Sequence, residues 1–169
     1  MKTFAPLFVC ISLLAASNAS LKAELQAGSA VVDVTPPRLP VLVNGGMLSR
    51  SLSAVKTRVN ARALVLSDKQ ERIAIVVVDS CMMGRVFLDS VKEEATRRLV
   101  IRADRILISA THSHSAPASM GCLGTDADPD YVPFLRARIL EAIEQAAKNL
   151  EPARVGFARA DAADFTALR

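Results

Sequence analysis

The chain carries two histidines, and both fall within three residues of each other in Thr111-His112-Ser113-His114-Ser115-Ala116-Pro117. Imidazole binds divalent transition metals in its neutral form and also moves protons near neutral pH. In an extended chain, residues two apart project to the same side, about 6.5 Å apart along the backbone. Such a pair can share one metal ion, or one ring can hold the ion while the other handles a proton. The same spacing also occurs in ordinary surface loops. Ser113 and Ser115 have histidine neighbours but no visible triad, so they read as loop residues. Asp79 ends a neighbouring predicted strand and is expected on the same sheet edge. A carboxylate there can orient an imidazole through its ring N–H, although a strand-end cap is the plainer use. Asn44-Gly45-Gly46 forms a candidate substrate loop, because two glycines permit close approach of backbone to ligand; the pair also reads as a simple turn.

The elements that must position these residues follow from hydrophobic patterning. Ala30 to Thr35 reads as a strand stopped by Pro36-Pro37, followed by a long loop from Arg38 to Lys56. Arg62 to Ser67 and Ile73 to Asp79 predict an antiparallel hairpin about the polar turn Asp68-Lys69-Gln70-Glu71. Ile73 to Val78 is apolar at every position, which predicts a strand covered on both faces. Val86 to Leu99 is amphipathic at helical spacing, with Phe87, Val91 and Ala95 on one side. Arg105 to Ala110 is another apolar strand, so strand, helix and strand imply a crossover and a parallel pair. The histidines directly follow this last strand, at the carboxyl end where α/β sheets bind ligands. Asp128-Pro129 can cap a helix whose stripe runs from Val132 to Leu150, with Asp130 at its positive end. Ala153 to Ala158 reads as one more strand. The fold class is α/β: a mixed sheet with a hairpin, a βαβ crossover and packed helices.

Composition narrows the function. Apolar residues make up 51% of the 169, enough for a packed core. There is no Trp and a single Tyr, so stacking platforms are scarce. The net charge of +4 is modest, and bases alternate with acids, as in Glu93, Glu94, Arg97 and Arg98. That is the pattern of a solvated helix face and argues against a nucleic-acid partner. At the start, Lys2, the apolar run Phe4 to Ala16 and the small residues of Ser17-Asn18-Ala19 read as a signal peptide over 1–19, cleaved after Ala19. The run is short for ~30 Å of hydrocarbon, and Val9 before Cys10 does not suit a lipoprotein signal. Export to a secreted or periplasmic location is therefore expected. Cleavage leaves Cys81 and Cys122, which outside the cytosol either pair or remain small core residues. Neither has the short-spaced partner typical of cysteine zinc sites.

Other His-x-His patterns fit poorly. Metallo-β-lactamases continue to an Asp-His pair where Ala116-Pro117 stand here, and amidohydrolase barrels place the motif on their first strand. Ala110-Thr111-His112-Ser113-His114-Ser115-Ala116-Pro117 instead resembles the Thr-His-Thr-His-Ser-Gly/Ala-Pro signature of the neutral/alkaline non-lysosomal ceramidases. Ala27-Gly28 with Val32-Asp33-Val34-Thr35-Pro36-Pro37 is similar to that family's opening strand, Arg58 to Leu66 to its next strand, and Ile75 to Asp79 to the strand ending in Asp. The resemblance implies a zinc hydrolase that cleaves ceramide (N-acylsphingosine) into a sphingoid base and a fatty acid. It implies zinc on His112 and proton transfer at His114, with a lipid or other N-acyl amide substrate and contact with a membrane surface. The family's other ligands (a distant His, a Glu and a Tyr) and its nucleophilic Ser lie downstream. Residues 27–169 are thus expected to be the N-terminal part of the hydrolase domain, an incomplete domain with an aggregation-prone sheet edge. Two alternatives stay open: an exported hydrolase of another amide or ester, and an inactive exported binding domain.

Overall fold

The computed structural model describes residues 24–68 and 70–165. The expected signal peptide over 1–19 lies outside these residues. Seven strands and two longer helices are described: β1 (Gln26–Asp33), β2 (Val41–Leu42), β3 (Ser51–Leu52), β4 (Asn60–Ser67), β5 (Arg72–Val78), α1 (Arg85–Leu99), β6 (Ile106–Ala110), α2 (Tyr131–Lys148) and β7 (Glu151–Pro152). Five strands make one sheet in the order β6-β5-β4-β1-β7, and β2 pairs with β3 in a small ribbon. The sheet is mixed. β4 and β5 form the expected antiparallel hairpin, closing at Ser67↔Arg72, whereas β5 and β6 run parallel on either side of α1.

Alternation along the strands sends Val32, Ala61, Ala63, Val65, Ala74, Val76, Val78, Ile106 and Ile108 to one face, where they are buried. The helices cover that face. α1 contributes Val91 and Ala95, and α2 contributes Leu135, Ile139, Ala142, Ile143 and Ala146. Each fully buried Val, Leu or Ile is worth roughly 1.5–3 kcal/mol relative to exposure, so this single core dominates stability. α2 approaches the sheet closely at Gly28, where an added Cβ would lie 2.1 Å from the Ala146 carbonyl oxygen. The start of α2 is held by Asp128, whose Oδ1 accepts the Asp130 and Tyr131 N–H groups at 3.1 and 3.0 Å. Its Oδ2 accepts the Leu42 N–H at 3.0 Å, which ties β2 to the same helix end. The two helices are joined by Arg136, which donates to the Ser90 hydroxyl and carbonyl, and by the Arg98–Glu144 ion pair.

The sequence expectations differ from the fold in several places, among them the expected long loop from Arg38 to Lys56, which carries the β2–β3 ribbon because Val41 and Leu42 find backbone partners in Leu52 and Ser51. The first strand begins at Gln26, earlier than Ala30, and stops at Asp33. Ile73, Ile75 and Val77 are only half-buried, because both helices pack on the other face of β5. Ala153 to Ala158 forms no strand: after Glu151–Pro152 pairs with Ala27 and Gln26, the chain leaves the sheet with Val155 and Phe157 exposed. A strand needs a row of backbone partners as well as apolar side chains; among the described residues the Ala153 N–H donates to the Leu25 carbonyl at 2.8 Å, and the ladder is carried no further.

Candidate functional site

The carboxyl ends of β5 and β6 lie side by side, with Val78 opposite Ala110. Past this point the two chains remain stitched together. The Thr111 N–H donates to the Val78 carbonyl at 3.0 Å, and the Ser113 N–H to the Ser80 carbonyl at 3.1 Å. The histidine loop is therefore laid along Asp79-Ser80-Cys81. Its backbone is not extended as the spacing argument assumes: His112 has φ 62°, in the left-handed region that residues with a Cβ seldom enter. This reversal curls the loop, and His114 and Ser115 lie in a turn. The rings consequently meet. Their Nε2 atoms are 3.1 Å apart, with centroids 4.7 Å apart in an edge-to-face arrangement.

Each ring is held from behind. His112 Nδ1 lies 2.9 Å from the Cys81 carbonyl oxygen. A carbonyl only accepts, so Nδ1 carries the proton and the neutral ring presents its Nε2 lone pair towards His114. Gly45, at φ 94°, lies against the His114 ring; a Cβ there would fall 2.5 Å from His114 Cγ. Arg50 fixes the His114 backbone by donating to its carbonyl at 2.7 Å. The loop bearing Gly45 is anchored by Asn44, which is buried, donates through its side-chain amide to the Met120 carbonyl at 3.1 Å, and leaves Oδ1 without a hydrogen-bond partner. Gly46 makes no comparable approach to the histidines; an added Cβ there would meet the Leu48 carbonyl oxygen at 3.4 Å. The candidate substrate loop thus forms the wall behind one of the imidazoles.

Asp79 stands at the same edge, but its carboxylate faces β4. Oδ2 accepts the Asn60 N–H and Oδ1 accepts from Arg62, each at 2.9 Å. The group that orients His112 is the Cys81 carbonyl, which no sequence spacing marks. Cys81 also brings its thiol. One ring nitrogen from each histidine and Cys81 Sγ all lie within 4.8 Å of one another. Cys81 is buried, and that burial raises its pKa, with a smaller push from Cys122; both cysteines are free thiols.

Beside the loop a cavity of about 450 Å³ is walled by Leu39, Val41, Val43, Leu52 and Val55, with Asp79, Ser113 and Ser115 at its polar side. A larger hollow of about 690 Å³ surrounds Asp33, Arg58 and Arg138, away from the histidines.

Comparison with known proteins identifies the family. The family described as neutral/alkaline non-lysosomal ceramidase, N-terminal, matches residues 25–169. The chain belongs to this family. Its relatives include the neutral ceramidase of Drosophila pseudoobscura pseudoobscura, 31% identical over 118 residues, which cover 65% of this chain and 16% of the relative. The neutral ceramidase of Drosophila melanogaster is 33% identical over 105 residues, covering 57% of this chain and 14% of the relative. The chain therefore spans about a sixth of the length of these ceramidases. The crystal structure of neutral ceramidase from Pseudomonas aeruginosa superposes with a TM-score of 0.67 at 19% identity, over 76% of this chain and 22% of that one. A second solved structure, a ceramidase complexed with C2, gives 0.66 at 20% identity with the same coverage. The α/β fold is shared with the matching part of these ceramidase structures.

The donors suit zinc. A tetrahedral ion with Zn–N bonds of about 2.0–2.1 Å holds two imidazole nitrogens roughly 3.3 Å apart. The pair here, at 3.1 Å, needs to open by only a fraction of an ångström.

Proposed function

We propose that this ceramidase-family segment contributes metal-binding and proton-transfer groups to a zinc-dependent hydrolase of N-acyl amides. On this reading the substrate is ceramide, the products are a sphingoid base and a fatty acid, and the protein is exported to a secreted or periplasmic location. The observation that carries the reading is the convergence of the His112 and His114 Nε2 atoms at the carboxyl end of β6. His112, its Nδ1–H held by the Cys81 carbonyl, presents a neutral lone pair to a metal. His114, backed by Gly45, keeps a ring nitrogen beside the same point and is placed to take or return a proton there. Zinc, when bound, supplies Lewis acidity for the amide carbonyl or its attacker. The apolar walls of the neighbouring cavity suit a hydrocarbon chain and support a lipid substrate met at a membrane surface.

The test is a chimera in which residues 25–169 replace the matching segment of the Pseudomonas aeruginosa ceramidase. It should release fatty acid from N-acylsphingosine, lose that activity on chelation or with His112→Ala, and fall roughly 10²–10⁴-fold with His114→Ala. An active chimera indifferent to both chelator and His112→Ala ends the metal reading. Activity on other amides or esters but not on N-acylsphingosine ends the ceramide assignment alone.

A further inference from the structure

We propose that the hollow at the end of β1 binds a long-chain oxyanion. Lys56, Arg58 and Arg138 hold the headgroup, and the neighbouring apolar cavity takes the hydrocarbon chain. The headgroup end lies away from the histidines and needs no metal; it rests on the proposed function only for the use of that cavity by a hydrocarbon. Its charge originates in the sequence. From Val34 to Ser67 the chain carries Arg38, Arg50, Lys56, Arg58 and Arg62 but no Asp or Glu. The hollow, of about 690 Å³, gathers Lys56 and Arg58 with Arg138 of α2, and Asp33 is the one carboxylate on its wall among the described residues.

Asp33 holds both guanidiniums in place. Its carboxylate pairs with Arg58, and its backbone carbonyl accepts from Arg138 Nε at 3.0 Å. Arg138 is steadied further by Glu141, and its side chain is only 30% exposed. A guanidinium has five N–H donors. Arg58 commits one terminal nitrogen to Asp33, while Arg138 commits Nε and one terminal nitrogen, so each keeps a terminal nitrogen for an incoming oxygen. Guanidinium forks suit carboxylate and phosphate alike. Lys56 has no ion-pair partner among the described residues. The border between the two spaces sets where the chain goes. Thr35, Pro36, Val55, Lys56 and Arg58 line both the charged hollow and the 450 Å³ cavity. Two of the three cations therefore stand where the apolar cavity meets the charged hollow. Beyond them the cavity is walled by Val41, Val43 and Leu52, and its volume is that of a small-molecule site. An inorganic anion would leave those apolar walls unused, and an uncharged chain would leave the cations to water. A hydrocarbon chain ending in an oxyanion engages both.

Isothermal calorimetry on the full chain, with ligands below their micellar concentrations, tests this. Dodecanoate and dodecyl phosphate should bind, and dodecanol and inorganic phosphate should bind roughly tenfold more weakly or worse. The tighter of the two amphiphiles identifies the preferred headgroup as carboxylate or phosphate. Lys56→Glu should weaken both amphiphiles roughly tenfold, because it removes a charge-assisted contact and repels the headgroup. Arg154→Glu, the same change of charge two residues beyond β7 at the far end of β1, should leave both unchanged. Dodecanol binding as tightly as dodecanoate overturns the proposal. So does inorganic phosphate matching dodecyl phosphate, an equal loss in the two variants, or a parent chain that binds neither amphiphile. Lys56 is exposed, so its substitution should preserve the fold, and the ligand comparison on the parent chain decides even where a variant fails to fold. Zinc has no part in these titrations; their failure leaves the hydrolase reading to be judged by the chimera.

Discussion

A left-handed residue turns a two-residue spacing into a convergent pair. Extended backbone would hold the two side chains about 6.5 Å apart along the strand; the reversal at His112 brings the ring nitrogens to 3.1 Å. Gly45 maintains this arrangement from the far side of the His114 ring. Gly45→Ala forces a side chain to a positive φ and drives its Cβ into the imidazole. It should destabilise the chain by about 1–2 kcal/mol from backbone conformation alone. By displacing His114 it should also weaken zinc binding roughly 10–100-fold. Urea denaturation and calorimetric zinc titration read the two effects. Unchanged zinc affinity would show that the loop does not support the site. The histidine pair was legible in the sequence because both ring donors sit in one short motif. Cys81 was not, because its place beside them depends on which strands pair and in what register. Asp79 sits at the edge where its strand position put it, yet Asn60 and Arg62 engage its carboxylate.

The strands and helices were legible wherever an apolar pattern coincided with a backbone partner. The hairpin β4–β5 and the crossover through α1 follow from pattern and turn chemistry, whereas Ala153 to Ala158 had the pattern but, beyond the bond from Ala153 to the Leu25 carbonyl, formed no ladder. The end of β1 carries a pH-sensitive clasp. Asp33 Oδ1 accepts the Thr35 N–H at 2.8 Å, and its Oδ2 is paired with Arg58. Hydrogen bonds from Thr35 are the main reason that its pKa falls from 3.8 to about 2, with Arg58 contributing less. Because the folded value is the lower one, the clasp stabilises the fold above pH 3.8 and is lost as pH falls through about 2. Asp33→Asn should therefore be less stable than the parent at neutral pH, and the difference should shrink across that acidic window. Thermal unfolding of both chains over a pH series measures it; a difference constant with pH would remove Asp33 from the account. The side chain is 33% exposed, so solvent screening keeps the effect small.

As a whole, the molecule is covered on one side. Among the described residues, both helices pack on one sheet face. The other presents Val31, Leu64 and Leu107 to solvent, with Ile73, Ile75 and Val77 half-buried among them. Contiguous apolar surface of this kind promotes self-association. The double substitution Leu64→Lys and Leu107→Lys should lower concentration-dependent light scattering without lowering the melting temperature. Equal scattering by parent and variant would clear this face. The parallel pairing of β5 with β6 also determines where this molecule tolerates changes in length. The length of the crossover does not set the distance from Cys81 to His112, so the loops at either end of α1 should tolerate insertions, whereas a one-residue change inside α1 would turn Val91 and Ala95 off the core. Removing one residue between Val78 and Cys81, or between Ala110 and His112, would break the alignment that sets the Cys81 carbonyl against His112 Nδ1. Drift in length should therefore accumulate in the loops flanking α1 and leave those two short tethers constant.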